Sequence, residues 1–242
     1  MSIHITGGVT FEGGSSITNS GLVLSLDAGN PYSYPGSGST WTDLVSAKTF
    51  TLYGSPTYSS NNGGYISFDV DYSQYAQCNS SLSTLNTWTV EAWHYYTGTN
   101  DGVDGGDGAC IVTEVFTGTP LAINYSLGND QALSGHPSEL QAGFFNGSWR
   151  ATATGYSLTS NNWYHIVGTY NGSAIKLYVN NSLINTTNYV GSPTTSGHGI
   201  RLMRRWDNAD YWGGRLSIVN IYDTDIGSSR VTANWNSTKS RF

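Results

Sequence analysis

The stretch Trp163-Tyr-His-Ile-Val-Gly-Thr-Tyr-Asn-Gly-Ser-Ala-Ile-Lys-Leu-Tyr-Val-Asn180 decides the fold. Trp163 to Tyr170 reads as a strand, Asn171-Gly172 as a turn, and Ala174 to Val179 as the return strand. Asn-Gly suits the positive φ values of a type I′ hairpin turn. On the return strand Ile175, Leu177 and Val179 face one way, while Lys176 and Tyr178 face the other. That is the two-residue period of a sheet with one face buried. Asn180-Asn181 marks a second turn before Ser182 to Thr187.

Working outward, the same pattern recurs. Leu22, Leu24 and Leu26 alternate in Gly21 to Asp27, and Tyr65 to Phe68 follows the turn signal Asn61-Asn-Gly-Gly64. Thr87 to Tyr96 is long and aromatic, and Ala109 to Phe116 follows a Gly/Asp loop. Leu140 to Phe145 and Ser148 to Thr152 flank Asn146-Gly147. Many short strands with turn residues between them predict a sandwich or barrel. One helix is predicted, from Gly227 to Trp235, with the Asp225 carboxylate accepting from free backbone N–H groups at its start. Residues 1–20 are rich in Gly, Ser and Thr and read as an extended arm ahead of a domain spanning 21–242. No internal repeat points to a solenoid or propeller.

Composition agrees with an all-β chain. Of its 242 residues 13% are aromatic and only 11% are charged, against roughly 25% charged in an average domain. Flat rings pack well on a pleated surface. The net charge is -6 and the ten Lys+Arg are scattered, so the clustered cations of a nucleic-acid footprint are missing. Cys78 and Cys110 are the only cysteines. They read as two small buried hydrophobes, with a disulfide left open because sequence does not place their Cα atoms.

Three segments together resemble the laminin-G-like jelly-roll family of the concanavalin A superfamily: Trp88-Thr-Val-Glu-Ala-Trp93, the hairpin quoted above, and Gly213-Gly-Arg-Leu-Ser-Ile-Val-Asn-Ile-Tyr222. The resemblance covers about 21–236 and implies a two-sheet antiparallel jelly-roll sandwich with one short C-terminal helix. A narrower resemblance lies in Gly21-Leu-Val-Leu-Ser-Leu-Asp-Ala-Gly-Asn30, Tyr34-Pro-Gly-Ser-Gly-Ser-Thr-Trp-Thr-Asp-Leu44 and the ending Asn234-Trp-Asn-Ser-Thr-Lys-Ser-Arg-Phe242. These are similar to the openings and endings of such domains in tailed-phage structural proteins. Met1 to Gly8 has no basic segment followed by an apolar run and does not read as a signal peptide. No apolar stretch is long enough to span a bilayer. A virion protein made in the host cytoplasm and released by lysis fits that pattern.

Some relatives of the fold are glycoside hydrolases, carrying two Glu with an Asp between them at alternating positions. Retaining hydrolysis needs two carboxyl groups about 5–5.5 Å apart. The only glutamates are Glu12, Glu91, Glu114 and Glu139, and none has another close by in sequence. Asp69 and Asp71 form an i, i+2 pair that reads as a strand-end turn, since loops collect Asp for local hydrogen bonds. Asp101 to Gly108 carries three carboxylates that suit calcium but lacks EF-hand spacing, and it reads as a solvated loop. The resemblance implies a calcium site with Asp27 at its early position; at its late strand Ser217 stands where relatives often carry Asp. His94 and His165 read as hydrogen-bonded sheet histidines, and no histidine pair has zinc-protease spacing.

The positive functional signal is aromatic: 17 Tyr and 8 Trp. Tyr95, Tyr96, Trp206, Tyr211 and Trp212 are the candidate binding residues, because rings stack on sugars and anchor protein interfaces; core packing is the competing reading. The expected function is a non-catalytic virion structural protein, a capsid decoration protein docking on the phage particle through the major capsid protein or another virion protein. The alternative is a carbohydrate-binding module with glycans as partners. A homo-oligomer is compatible with either, and no nucleic-acid or membrane partner is expected.

Overall fold

Sixteen strands form among the residues the computed structural model describes, 19–100, 109–116, 123–129, 140–152 and 156–242. They begin with β1 (Leu22–Asp27), β2 (Thr40–Thr42), β3 (Thr49–Tyr53), β4 (Thr57–Ser59), β5 (Tyr65–Phe68), β6 (Tyr75–Cys78), β7 (Trp88–Asn100) and β8 (Cys110–Glu114). They continue with β9 (Ile123–Asn129), β10 (Leu140–Phe145), β11 (Trp149–Ala151), β12 (Asn162–Tyr170), β13 (Ala174–Val179), β14 (Ser182–Asn188), β15 (Ile200–Leu202) and β16 (Trp212–Tyr222). The helix α1 (Gly227–Thr238) follows, and a 3-10 turn at Lys239–Arg241 leads to Phe242.

The strands make two antiparallel sheets. The first runs β14-β13-β12-β7-β16-β5-β4, with β1 also paired to β16; the second runs β11-β10-β9-β8-β15-β6-β3-β2. This is the jelly-roll sandwich, and the main core fills the space between the sheets. Trp41, Phe50, Ile111 and Phe144 enter it from the second sheet, and Leu24, Ile66, Trp88, Ile166 and Leu216 from the first. Burying one such aliphatic or Phe side chain stabilises by about 1.5–3 kcal/mol.

The hairpin behaves as its alternation predicts. Ile175, Leu177 and Val179 enter the main core. Tyr178 instead joins Val167, Tyr222, Ile226 and Val231 in a second cluster beneath α1. Part of the first sheet is thus covered on both faces, by the second sheet within and by α1 without. Residues covered on both faces lose the exposed positions of a one-sided sheet, and β12 is accordingly buried from Tyr164 to Tyr170.

Three details differ from expectation. The paired positive φ values of a type I′ turn occur at Asn180 and Asn181, 48° and 66°, and not at Asn171-Gly172, where only Gly172 is positive at 91°. Asn171 instead uses its side-chain oxygen to accept from the N–H groups of Ser173 and Ala174, at 2.9 and 2.8 Å. A bulge between Leu22 and Leu24 places Leu22 beside the α1 cluster while Leu24 enters the main core, because an extra residue reverses the facing of what precedes it. The helix runs three residues beyond Trp235, to Thr238. Asp225 accepts from Gly227 N–H at 2.8 Å just ahead of it. Asp69 accepts from Asp71 N–H in the expected strand-end turn. Cys78 and Cys110 are both free thiols and both buried. Most of the arm, 1–18, and the loop Asp101 to Gly108 lie outside the described residues.

Candidate functional site

Alternation and register bring the outward side chains of β16, β7 and β12 into rows. Glu91 pairs with Asn220 and Val167, Trp93 with Ile218 and His165, and Tyr95 with Arg215 and Trp163. The Glu91 row lies beneath α1. The Trp93 row lies beneath Trp235 and Phe242, whose rings stack on Trp93 at 5.2 and 4.1 Å. Cover ends there: in the third row Tyr95, Trp163 and Arg215 are all partly exposed.

That row forms a platform with Tyr65 of β5. Arg215 Cζ lies 4.3 Å from the Tyr95 ring centre and 4.8 Å from that of Tyr65. The Trp163 ring meets Tyr95 and Tyr65 edge-on at 5.5 and 5.8 Å, and Phe242 walls one side at 4.6 Å from Trp163. Gly214 allows the approach of β16 to β7 here: its φ is +132°, and a Cβ would collide with the Tyr95 carbonyl oxygen and the His94 ring. Only glycine adopts such a conformation without strain.

The rows under cover carry buried polar chemistry. Glu91, 2% exposed, meets His165 Nε2 at 2.5 Å and accepts from Asn234 at 2.9 Å, Asn220 at 3.1 Å and the Tyr222 hydroxyl at 3.3 Å. Burial alone raises its carboxyl, but the hydrogen bond and charge of His165, with the Asn220 and Asn234 amides, outweigh it and hold the group below its ordinary value. This network fastens α1 to the sheet through Asn234. On the inner face His94 Nε2 accepts from Trp212 Nε1–H at 2.9 Å, so Nδ1 carries the ring proton and donates to Arg215 O at 3.1 Å. Burial pushes the His94 ring down to about 3. The ring is therefore neutral at physiological pH.

The five aromatic candidates do not form one site. Tyr95 is on the platform. Tyr96 and Trp212 face inward and are 7% and 1% exposed, which removes both as contact residues. Trp206 packs edge-on against Phe116 in a loop. Tyr211 lies beside Tyr75 and Arg204, away from the platform, in a second patch that includes the stacked pair Tyr53 and Tyr75 at 4.6 Å. Asp27 is also corrected as a calcium ligand: Arg241 donates to both its carboxylate oxygens, at 2.8 and 3.0 Å, and to Ser217 Oγ at 3.1 Å and Gly63 O at 2.6 Å. A guanidinium therefore spans the two positions that the resemblance assigned to the metal. Among the described residues no group of three or more His, Cys, Asp or Glu is placed to hold a metal ion. Trp163, Arg215, Tyr65 and Phe242 were missed as site residues. Their signal was present in the alternation, which sets Tyr95, Trp163 and Arg215 at outward positions.

A cleft of about 550 Å³ lies at the other end of β16, lined by Val23, Lys48, Leu82, Leu85, Thr87 and Asp223 among others. Asp223 is the only acid lining it. Glu114 is fully buried and accepts from the Thr195 hydroxyl at 2.5 Å. Among the described residues, then, neither cleft nor platform gathers two carboxyl groups.

A family model described as Laminin_G_3, concanavalin A-like lectin/glucanases superfamily, matches residues 69–232. Among solved structures the chain is similar to domain 4 of AbnA, a GH43 extracellular arabinanase from Geobacillus stearothermophilus, in complex with arabinotriose. The TM-score is 0.66 and the identity 14%, covering 87% of this chain and 96% of that one. It is also similar to the binding domain of Paraclostridial Mosquitocidal Protein 1, with a TM-score of 0.64, 18% identity, and 90% and 52% of the two chains covered. A third similarity is to Trypanosoma rangeli sialidase in complex with the inhibitor DANA, with a TM-score of 0.64, 14% identity, and 98% and 36% covered. Identities this low speak to the fold alone. A search of curated proteins found no match.

Proposed function

We propose that this chain, which belongs to the concanavalin A-like lectin/glucanases superfamily, is a non-catalytic carbohydrate-binding module whose contact surface is the platform of Tyr65, Tyr95, Trp163 and Arg215. One observation carries the reading: α1 and Phe242 cover the outer face of the first sheet up to this row, and leave the Tyr95 and Trp163 rings and the Arg215 guanidinium partly open, with the buried Tyr65 ring beside them. Ring faces receive the apolar faces of sugars, and the hydroxyl, indole and guanidinium donors at their edges fix orientation. The complex of the arabinanase domain with arabinotriose shows a similar fold holding a sugar, which supports the reading. Among the described residues neither the cleft nor the platform gathers two carboxyl groups, which supports a binding role over hydrolysis, since hydrolysis needs two carboxyl groups flanking the bond.

A glycan array with the purified protein and a Trp163→Ala variant is the test. Binding lost in the variant supports the platform; arrays blank for the intact protein reject it. Turnover of a laminarin-type polysaccharide would reject the non-catalytic part.

The setting we propose is the virion of a tailed phage, where the domain decorates the particle and presents the platform to glycans on the host surface. Support comes from the opening and closing segments, which resemble those of phage structural proteins and which meet through Asp27 and Arg241. Residues 1–20 supply an arm that adds to an exposed sheet edge of a capsid protein. Deleting residues 2–20 is expected to abolish particle binding while the domain stays folded. Unchanged occupancy, measured by mass spectrometry of purified particles against free lysate, rejects the arm mechanism.

A further inference from the structure

We infer that the platform takes an acidic saccharide, a sugar bearing a carboxylate, and that Arg215 receives the carboxylate. The inference rests on the carbohydrate-binding reading and adds the ligand's charge.

Arg215 differs from the arginines around it. Arg205 is paired with Asp207 and Asp210 at 2.7 and 2.8 Å, and Arg241 with Asp27. Arg201 donates to Gln77, Asn208 and two backbone carbonyls, and Arg204 to the carbonyls of Asn208 and Ala209. The contacts of Arg215 among the described residues are the Tyr95 and Tyr65 rings, with no acid at ion-pair distance and no hydrogen bond from its guanidinium. Among the described residues Arg150 also lies over a ring, that of Tyr189, without an ion pair; Arg215 is the guanidinium so placed on the platform, where desolvation is not repaid by an acid.

Its geometry suits a carboxylate. The Arg215 Cζ lies 4.3 and 4.8 Å from two ring centres, and none of its N–H groups is used in a hydrogen bond among the described residues. The fork of a guanidinium matches the two oxygens of a carboxylate. The two tyrosines hold the group by cation–π attraction and limit its rotamers, so little entropy is lost on binding. Beside it the hydroxyls of Tyr65 and Tyr95 and the indole N–H of Trp163 make no hydrogen bond among the described residues, and Trp163 is partly exposed. These donors suit ring hydroxyls, and the indole face suits the C–H face of the sugar. Among the described residues Arg215 is the only cation in the platform, which matches one negative charge and argues for a carboxylate over a dianionic phosphate.

The test is isothermal titration at low salt with two matched pairs: 3′-sialyllactose against lactose, and trigalacturonate against galactotriose. In at least one pair the acidic member is expected to bind about tenfold tighter, the scale of one charge-assisted hydrogen-bonded contact. Arg215→Gln is expected to weaken the acidic member more than its neutral partner, so that the ratio of the two affinities falls to about one; Trp163→Ala is expected to weaken both members by the same factor and so keep the ratio. Arg215→Lys, with a point charge in place of the fork, is expected to keep only part of the preference, and its melting temperature reports whether the platform stays folded. Equal affinity within both pairs, or a preference that survives Arg215→Gln, overturns the inference and leaves the carbohydrate reading standing. No binding of any of the four sugars counts against both.

Discussion

Arg241 forms a two-pronged ion pair with Asp27, 214 residues earlier in the chain, with both bonds at 3.0 Å or less. Asp27 is 2% exposed and lies at the end of the first strand; Arg241 is the last residue but one. The pair therefore pins the tail across the sheet and seats Phe242 on Trp93 and against Trp163.

Removing the guanidinium with Arg241→Ala leaves a buried carboxylate without its counter-charge, which costs about 3–5 kcal/mol. Denaturant unfolding is expected to show a loss of that order, and Trp163 fluorescence is expected to report a freed Phe242. A change below about 1 kcal/mol would mean that water or another cation replaces the guanidinium at little cost.

Because Arg241 already spans Asp27 and Ser217, calorimetric titration with millimolar calcium after chelation is expected to release no heat from the intact protein. Saturable heat would show that the metal displaces the guanidinium.

Stability is expected to fall on acidification in two windows. The His94 ring titrates at about 3 when folded against 6.5 ordinarily. Its folded value is depressed, so its contribution is full above about pH 6.5 and is lost as pH falls towards 3, by up to about 1.4 kcal/mol per pH unit. The Glu91 carboxyl is also held below its ordinary 4.5; its contribution is present above that value and is lost as pH falls through the folded one. Melting temperatures measured from pH 8 to pH 3 are expected to drop below 6.5 and to drop more steeply below 4.5. His94→Gln is expected to flatten the first window. A wild-type profile level between pH 6.5 and 4.5 would contradict the burial assigned to this ring.

Gly214→Ala places a Cβ against the Tyr95 carbonyl at a positive φ. The strain is expected to cost about 1–3 kcal/mol and to move Arg215 relative to Tyr95. Chemical denaturation gives the first quantity and sugar titration the second; an alanine variant unchanged in both would show that β16 approaches β7 less closely than described.

Of the two aromatic patches, the first is expected to carry binding. Trp163→Ala is expected to weaken glycan binding by about 2 kcal/mol, roughly thirtyfold, and Tyr211→Ala to leave it unchanged. The reverse pattern in titration would move the site to the face of Tyr53, Tyr75 and Tyr211.

Much of the fold was legible because alternation is local. Ile175, Leu177 and Val179 declared one face and Tyr178 the other, and the strands from Tyr65 to Phe68 and from Trp163 to Val179 stand where turn residues bounded them. Thr40–Thr42, Thr57–Ser59 and Ile200–Leu202 escaped, since three residues are too few to display a period of two. The longer Thr49–Tyr53 and Tyr75–Cys78 also escaped, although their alternation is visible in their burial. The site was half legible. Tyr95 stood out as an aromatic near the end of a long strand, whereas Trp163 and Arg215 were read only as parts of fold-bearing segments. Tyr96 and Trp212 were misplaced because a tyrosine or tryptophan has the same composition whether it points in or out, and a bulge such as that between Trp212 and Gly214 resets the facing.

The order of residues by itself determined an all-β chain of short strands, with the hairpin from Trp163 to Val179 among them, because side-chain alternation acts between near neighbours. The same order determined that no two glutamates lie close together along the chain. Only the tertiary structure decided which outward residues stay open, because that depends on α1 and Phe242 crossing the first sheet from the far end of the chain. It also decided that Tyr65, Tyr95, Trp163 and Arg215 share one surface, since strand register is set by the pairing of distant segments.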